Sequence, residues 1–412
     1  MFQSAVRSFP EALRAKGYAQ SFLIIGPVVV SLFFITKVVY NIFIHPLAKY
    51  PGPKLYAASP VPISLAQLRG QLHTVTKAAH DKYGPVVRMS PNELSFISDT
   101  AWQDIYARHR STPAMARDRT FFNNMLLHPQ TITMADDIDH NRIRRSLNPA
   151  FSSQALLEQE PILQQNVSLL MDKLQEHAEH GYPLDLRAWY NYTTFDLIGD
   201  LAFGETFGCL ATSRFHEWAQ MVLDYFFVAT LLHVVHRLYP LNKLFAFLLP
   251  PSVMKKKKQH SQMAIDKVRK RTDPLNAVMR RDFIHYLLQS VDSCSITQDE
   301  LESQASVLIL AGSETTSIAL TYATFFLTQH PEILEKLRVE LQQNFKSEGD
   351  IDLLSIDRLH YLHAVLQETL RCRPPITNGF PRQVPNGGAF VDDNFLPGGV
   401  CQFLFKLRCS YI

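Results

Sequence analysis

The amino-acid sequence predicts a mainly α-helical fold with small β-sheets and a transmembrane helix near the N-terminus. Three observations predict this fold class. A helical pattern of unusual length runs from Thr297 to His330, and most of the chain beyond about residue 100 has a helical pattern. Two short strand-like runs lie around a Pro-Asn turn within residues 84–96. Residues 18–36 carry no charge and are mostly apolar.

Composition, net charge and cysteine spacing limit the possible classes of function. The chain has 412 residues, of which 46% are apolar and 19% are charged, so it has enough apolar material for a large core. The formal net charge of +3 is too small to indicate nucleic acid as the main partner. No two of the five cysteines have CxxC spacing, so neither a zinc site nor a disulfide framework is predicted. They are expected to be free thiols of a protein that faces the cytosol.

The apolar segment near the N-terminus predicts a membrane anchor. After Lys37 the apolar run continues to Ile44, which makes it long enough to cross a bilayer. A buried core helix and a cleaved signal peptide are the alternatives. The second lacks a small-residue cleavage site, because Lys37 and Tyr40 follow the apolar run. Basic residues are balanced on the two sides of the segment, so charge does not predict its orientation.

Prolines follow the anchor. Pro46, Pro51 and Pro53 predict a stiff, extended connector that holds a domain at a defined angle to the membrane. The predicted parts of the chain are an N-terminal lead at 1–17, a transmembrane anchor at 18–44, a proline-rich hinge at 45–56, a domain at 57–400 and a tail of different character at 401–412.

A polar turn, residues 311–316 with the sequence Ala-Gly-Ser-Glu-Thr-Thr, interrupts the apolar interior of the long helix. Thr297 and Glu300 form a capping-box pattern at the start of this helix, and Pro331 marks its end. Polar groups in a buried helix are costly unless they have partners or a task. A glycine inside a helix costs about 1 kcal/mol relative to alanine. We therefore expect another structure or a ligand to lie against this turn.

Two further segments leave alternatives open. The helical stretch 139–151 carries basic residues, of which His140 and Arg144 share one face; this face either binds an anion or is simply solvated. The apolar segment 225–251 precedes four lysines at 255–258. It is either a core helix followed by a solvated charge run, or a second contact with a membrane surface.

A helix is predicted from Leu353 to Arg373, and it places Glu368 and Arg371 three residues apart on one face. Alone, such a pair is most often a surface salt bridge. The two prolines at 374–375 end the helix, and an extended segment that contains Arg382 follows.

Four features thus occur in a fixed order: the turn at 311–316, the Glu-Thr-Leu-Arg sequence at 368–371, the two prolines at 374–375, and Pro-Arg at 381–382. The anchor, the proline-rich hinge and the basic helix ending in Asn-Pro-Ala-Phe-Ser at 148–152 precede them. In this order and spacing the chain resembles a membrane-bound cytochrome P-450, and it is most similar to the filamentous-fungal members of secondary metabolism. The resemblance runs from His45 to about Val400.

The resemblance implies a haem b cofactor beneath the long helix. Ala311 and Gly312 match positions where the helix backbone approaches the haem face, which requires small side chains. Thr315 matches the hydroxyl that assists oxygen activation, and Glu314 matches its acidic neighbour in proton delivery.

Cationic and paired residues are also carried over by the resemblance. His140 stands where the family usually has a tryptophan, and Arg144 matches its arginine partner. Together with Arg382 they are expected to bind the haem propionates. Glu368 and Arg371 match a buried structural ion pair.

The implied reaction is oxidation of a hydrophobic small molecule by a haem-dependent monooxygenase, in secondary-metabolite biosynthesis. Apolar segments at 121–127, 225–232 and 376–380 are expected to contact the substrate. The sequence has no flavin or nicotinamide fingerprint, so electrons are expected from a separate, membrane-bound NADPH–P-450 reductase. The expected location is the endoplasmic reticulum membrane, crossed once, with the catalytic domain facing the cytosol.

The family pattern is lost after Val400. The expected haem-ligand pattern FxxGxRxCxG does not appear in residues 401–412, where Phe405 and Leu407 replace the glycine and arginine that should precede Cys409. We therefore expect Cys409 not to be the axial ligand, predict no metal ligand, and expect a family fold that is incomplete at its C-terminus and an inactive chain. The alternative is a membrane-anchored, non-catalytic binding or scaffold protein.

Overall fold

The predicted fold class, mainly α with small β-sheets, is confirmed by the structure, a computed structural model. It describes residues 27–107, 115–122, 131–238, 242–243, 251–273 and 280–404. The chain divides into two compact units, Met1–Phe96 and Ile97–Ile412, which are described separately.

The first unit begins with a long apolar helix. Its elements are α1 (Pro27–Ile44), α2 (Lys54–Ala58), α3 (Val61–Leu68), α4 (Leu72–Tyr83), β1 (Val86–Ser90) and β2 (Glu93–Phe96). Only 6% of α1 is buried, and its last turn, Tyr40–Ile44, is π-helical. By length and composition α1 is a candidate membrane span, while residues 18–26 of the predicted anchor lie outside the described residues. Strands β1 and β2 form the predicted antiparallel hairpin.

The proline-rich connector differs from the extended segment that its sequence predicts. Residues 45–50 form turns, and Leu47 and Tyr50 are buried. The backbone N–H of Arg88 donates to the carbonyl of Pro51 (2.7 Å), and the Arg88 guanidinium, with the residue only 1% exposed, donates to the carbonyl of Asn41 (2.8 Å). The prediction of an extended conformation is wrong because the chain turns to bury Leu47 and Tyr50, and the carbonyl of Pro51 bonds to Arg88 of β1 in the same unit.

The second unit contains most of the helices. Its helices are α5 (Asp99–Tyr106), α6 (Arg119–Phe122), α7 (Asp137–Leu147), α8 (Ser153–His180), α9 (Leu186–Phe203), α10 (Cys209–Thr212), α11 (Glu217–Arg237), α12 (Pro251–Thr272), α13 (Phe283–Asp292), α14 (Gln298–Gln329), α15 (Pro331–Asn344), α16 (Leu353–Ile356) and α17 (His360–Cys372). Its strands are β3 (Ala116–Arg117), β4 (Arg382–Gln383), β5 (Ala389–Val391), β6 (Asn394–Leu396) and β7 (Cys401–Leu404).

Helix α14 is the element on which the second unit is built. It is the long helix predicted from the sequence, with Thr297 as N-cap and a capping box in which the Thr297 hydroxyl accepts from the Glu300 N–H. It packs against α9, α12, α13 and α17. The main core cluster contains its residues Leu301, Ala305 and Ile309.

A buried chain of hydrogen bonds joins α11, α12 and α14. The indole N–H of Trp218 donates to His260 Nδ1 (3.0 Å), and His260 Nε2 lies 2.9 Å from the Ser306 hydroxyl. Burial lowers the pKa of His260 to about 4, so this imidazole is neutral. Part of α11 is thus integrated in the core, and 47% of it is buried. Most of 239–250 lies outside the described residues, so the membrane-surface alternative for this segment stays a prediction.

The helix predicted at Leu353–Arg373 is divided into α16 and α17. Leu359 has an extended conformation (φ −84°, ψ 95°), which separates the two. The Glu340 carboxylate of α15 then accepts hydrogen bonds from the N–H groups of Tyr361 (2.8 Å) and Leu362 (2.9 Å). This side chain caps the new helix from a distant part of the chain, and local periodicity contains no signal of it.

The strands of the second unit form two small antiparallel groups. Strand β4 pairs with β3 on one side and β7 on the other, which places Arg382 opposite Arg117 and opposite Gln402. Strands β5 and β6 form a hairpin through Asp392 and Asp393, both in the left-handed region.

Candidate functional site

The polar turn at 311–316 lies where α14 changes from a buried helix to a partly exposed one. Residues Glu300–Leu310 are all buried except the half-buried Leu308. Ala311 and Thr316 are exposed, while Ser313 and Ser317 are buried. The predicted turn therefore has one face in the core and one face available to a ligand.

The Thr315 hydroxyl lies close to the backbone of its own helix. It donates a hydrogen bond to the carbonyl of Ala311 (2.6 Å). Bonds of this kind to the carbonyl four residues earlier compete with the helical ladder and often bend a helix. The hydroxyl proton is thus engaged, and the oxygen lone pairs remain able to accept a hydrogen bond from a ligand.

Gly312 has a packing role that its sequence position did not indicate. A Cβ added there would lie 2.8 Å from Ile198 Cδ1 and 3.0 Å from Ile198 Cγ1. A side chain at position 312 would therefore force Ile198 of α9 to move. The haem-approach role implied for Gly312 stays a prediction, whereas the exposed Ala311 offers the small side chain on the open face.

Glu314 is a half-buried carboxyl group with a raised pKa. Burial raises the pKa of Glu314, and the positive charge of Arg187 partly opposes that shift. Within the described residues the Glu314 carboxylate makes no hydrogen bond or ion pair. A carboxyl with a raised pKa, one residue before Thr315, is suited to hold and release a proton closer to neutral pH than an exposed glutamate.

The basic residues of helix α7 lie in different environments. Asp136 caps its N-terminus by accepting from the N–H groups of Ile138 and Asp139. Arg142 pairs with Asp139 (2.9 Å) and with Glu300 of α14 (2.5 Å). Arg144 is exposed, and within the described part of the chain its guanidinium makes no hydrogen bond or ion pair. This exposure leaves the Arg144 guanidinium accessible to an anion, and its predicted role in binding the cofactor stays a prediction.

Arg382 and the start of α7 are connected through Arg117. Arg117 lies opposite Arg382 in the strand pair, and its guanidinium donates to the carbonyl of Ala135, shortly before α7 and the half-buried His140. The Arg382 guanidinium lies 5.5 Å from the ring centroid of Tyr106. The pairing brings two arginines to one place in the sheet, where like charges repel and an anion is favoured.

The chemistry of these residues suits a flat ligand that carries carboxylates. The exposed, small side chain of Ala311 allows the helix to approach a planar ring face. Arginine side chains bind carboxylates in charge-assisted, often bidentate hydrogen bonds. The donor set of His140, Arg144 and Arg382 thus agrees in chemistry with the propionates of haem.

The Glu368–Arg371 pair forms as predicted but is not buried. Arg371 donates to both Glu368 carboxylate oxygens, at 2.6 and 2.5 Å. Their side chains are 59% and 50% exposed. The expectation of a buried pair is wrong for the described residues, because no described segment covers this face of α17.

Two of the three segments predicted to contact substrate meet at Phe121, beside α11. The centroid of its ring lies 5.0 Å from that of His233, the residue that follows the second segment, and 6.3 Å from that of Phe380. The Tyr106 hydroxyl donates to the carbonyl of Phe380 (2.8 Å) and fixes that segment. Residues 123–127 of the first segment lie outside the described residues, and the substrate role of all three stays a prediction.

Cys409 also lies outside the described residues. In the parts of the chain that the structure covers, no group of three His, Cys, Asp or Glu side chains is arranged to hold a metal ion.

Arg117, Arg142 and Gln304 were not assigned a role from the sequence. The buried Gln304 side chain accepts from the Ile132 N–H (2.9 Å) and ties the segment before α7 to α14. The amide of Gln304, two turns before the polar turn on a helix predicted to be buried, was the available signal for its role. The sequence pattern does not distinguish Arg117 and Arg142 from neighbouring arginines that are exposed to solvent.

Comparison with known proteins identifies the family of this chain. The family model "Cytochrome P450" matches residues 53–403. The chain is 56% identical over 364 residues to the cytochrome P450 monooxygenase astD of Aspergillus oryzae, covering 88% of this chain and 71% of that protein. It is 39% identical over 370 residues to the trichothecene C-15 hydroxylase of Fusarium sporotrichioides, covering 89% of this chain and 74% of the relative.

A third relative is the cytochrome P450 monooxygenase astA of Talaromyces wortmannii, 38% identical over 385 residues, which are 90% of this chain and 76% of that protein. The matched stretch includes α7, the polar turn of α14 and β4. The chain therefore belongs to the cytochrome P-450 family of haem-dependent monooxygenases.

Proposed function

We propose that this chain acts in fungal secondary metabolism as a haem-dependent monooxygenase that oxidises a hydrophobic small molecule. The single observation that carries the proposal is the change of environment along α14. There Ala311 is exposed, the Thr315 hydroxyl donates to a carbonyl of its own helix, and Glu314 has a raised pKa. The family identity and the names of the fungal relatives support the same reaction class.

Haem, when bound, supplies the oxygen chemistry, and the residues of this chain serve it. The small side chain of Ala311 admits the flat ring to the helix. Thr315 Oγ1 accepts a hydrogen bond at the reacting side, and the Glu314 carboxyl delivers a proton towards it. His140, Arg144 and Arg382 hold the carboxylates of the cofactor.

The apolar side chains around Phe121 support a hydrophobic substrate. The ring of Phe121 of α6 contacts the rings of His233 of α11 and of Phe380 before β4, and a cluster of rings of this kind favours apolar ligands. We also propose that α1 anchors the chain in the endoplasmic reticulum membrane, crossing it once, with a membrane-bound NADPH–P-450 reductase as electron donor. The exposed apolar surface of α1 supports the anchor.

The deciding experiment is the absorption spectrum of the full chain in membranes, reduced and exposed to carbon monoxide. The band of thiolate-ligated haem supports the proposed function.

With reductase and NADPH present, Thr315→Val should then lower product formation while NADPH consumption continues. Arg145→Gln is the control, because Arg145 is an exposed residue of α7. This variant should leave the ratio of product formed to NADPH consumed unchanged.

A second candidate, a non-catalytic binding or scaffold protein, is favoured by apolar side chains that stay exposed on two touching helices. Phe325 of α14 and Leu366 and Leu370 of α17 are 52%, 39% and 45% exposed. Exposed apolar patches often mark protein interfaces. Bound hemin without the thiolate band, or no bound hemin, together with a stoichiometric partner, would favour this candidate and the predicted lack of activity.

A further inference from the structure

Arg142 is the residue through which α7 is attached to the start of α14. One guanidinium nitrogen donates to Glu300 Oε2 (2.9 Å) and to the Ser295 carbonyl (2.8 Å), and the other donates to Glu300 Oε1 (2.5 Å). This is a bidentate pair, the arginine–carboxylate geometry with the greatest directional specificity. The pair raises the pKa of Arg142 and lowers that of Glu300.

The same Glu300 carboxylate belongs to the N-terminal cap of α14. Its Oε2 accepts from the Thr297 N–H (2.8 Å), and the Glu300 side chain is only 3% exposed. A buried carboxylate shared by a helix cap and an arginine cannot move without breaking both interactions. The position of α7 is thereby fixed relative to the first turn of α14.

The attachment also determines which face of α7 is presented to the site. Residues two apart in a helix point about 200° from each other, so Arg142 lies on the opposite side from His140 and Arg144. A second contact comes from the same face of α14. The Gln304 side chain, one turn after Glu300, accepts from the N–H of Ile132. Two successive turns of α14 therefore hold α7 and the segment that precedes it.

We propose that Arg142 is a positioning residue: its pair with Glu300 holds α7 so that His140 and Arg144 can bind the carboxylates of the tetrapyrrole. The inference rests on the proposed function, because it assumes that these two residues meet the cofactor. Arg142 itself does not contact the cofactor, since its guanidinium is already engaged by Asp139, Glu300 and Ser295.

The chain offers a matched control for this pair. Arg269 of α12 pairs with Glu302 of α14 at 2.9 Å, and the Glu302 side chain is 6% exposed. Removing either arginine leaves a buried glutamate on α14 without its cation, which costs stability in both cases. Only Arg142, however, belongs to the helix that carries His140 and Arg144.

The experiment compares hemin with hemin dimethyl ester, in which both propionates are esterified, by absorbance titration of the full chain. Arg142→Gln should reduce the preference for hemin over the ester about tenfold, the equivalent of one charge-assisted hydrogen bond. Glu300→Gln should do the same, since glutamine can keep the capping box. Arg269→Gln should weaken both ligands alike and leave the ratio unchanged.

An unchanged ratio in Arg142→Gln overturns the inference, as does an equal fall of the ratio in Arg269→Gln. If Arg142→Gln does not fold, Glu300→Gln decides in the same way. If the unaltered chain binds neither porphyrin, the proposed function fails. Hydrogen exchange of α7 amides then decides the attachment: faster exchange in α7 than in α13 upon Arg142→Gln supports it, and unchanged rates overturn it.

Discussion

The two halves of α14 use polar residues in different ways. In the first half, Glu300 and Glu302 bond to arginines from other helices, and Gln304 bonds to the backbone of a preceding segment. In the second half, Ser313 and Thr315 donate only to carbonyls of their own helix, at 2.9 and 2.6 Å. The distant partners of Glu300, Glu302 and Gln304 build the fold, whereas the local bond of the half-buried Thr315 leaves its hydroxyl oxygen available to a ligand.

The largest expected difference between the halves is in apolar packing. Ile309→Ala should lower the free energy of unfolding by about 3 kcal/mol, because Ile309 is fully buried and its loss leaves a cavity. Phe325→Ala should change it by less than about 0.5 kcal/mol, since Phe325 is half exposed. Urea unfolding measures both. Equal losses in the two variants would show that the second half is as well packed as the first.

Gly312, at the junction of the halves, tests whether packing or ligand approach requires the glycine. Gly312→Val should cost about 2 kcal/mol, because the new side chain overlaps with Ile198. Ile198→Ala makes room for it, so the double variant should lose less than the sum of the single variants. Additive losses in urea unfolding would contradict the contact. A persistent loss of hemin affinity in the double variant would show a ligand-approach role as well.

Glu300 in the first half and Glu314 in the second half should change the stability of the fold in opposite directions as the pH rises. The Arg142 hydrogen bond lowers the pKa of Glu300, so Glu300 contributes stability above its unfolded pKa of about 4.3, and this is lost as the pH falls through the lower folded value. Burial raises the pKa of Glu314, so stability decreases as the pH rises from the unfolded to the higher folded value.

Unfolding free energies measured from about pH 3 to pH 8 in Glu300→Gln and Glu314→Gln test this difference, a window that spans both sides of the ordinary carboxyl pKa. The first variant should flatten the acid side of the profile, and the second should remove the decrease above the ordinary pKa of glutamate. If both variants flatten the same side, the two carboxyls share one kind of environment and the contrast between the halves is wrong.

The smallest effect on stability is expected at Thr315. Thr315→Val removes a hydroxyl that, among the described residues, bonds within its own helix, so the free energy of unfolding should change by less than about 0.5 kcal/mol. Thermal unfolding of the two proteins, with Thr315→Ser to keep the hydroxyl, measures this. A loss of about 2 kcal/mol or more, typical of a buried hydrogen-bond partner, would place Thr315 among the structural residues of the first half.

Much of the fold follows from local patterns. The capping box at Thr297 and Glu300, the length of α14 and the β1–β2 hairpin are confirmed because each is stabilised by residues close in sequence. The break between α16 and α17 was not predicted, since the Glu340 carboxylate that caps α17 comes from another helix. The same limit applies to the exposure of Glu368 and Arg371, which depends on what covers α17.

The features of the candidate site also divide into those that the sequence predicts and those that depend on the tertiary structure. The sequence by itself determined the family and located the polar turn, because those features are short and their order along the chain is specific, while the cofactor roles of His140, Arg144 and Arg382 stay predictions. Only the tertiary structure decided that Gly312 faces Ile198, that Arg142 serves Glu300 while Arg144 stays open, and that Glu314 has a raised pKa. Partners and burial depend on segments distant in sequence, and periodicity within one helix contains no information about them.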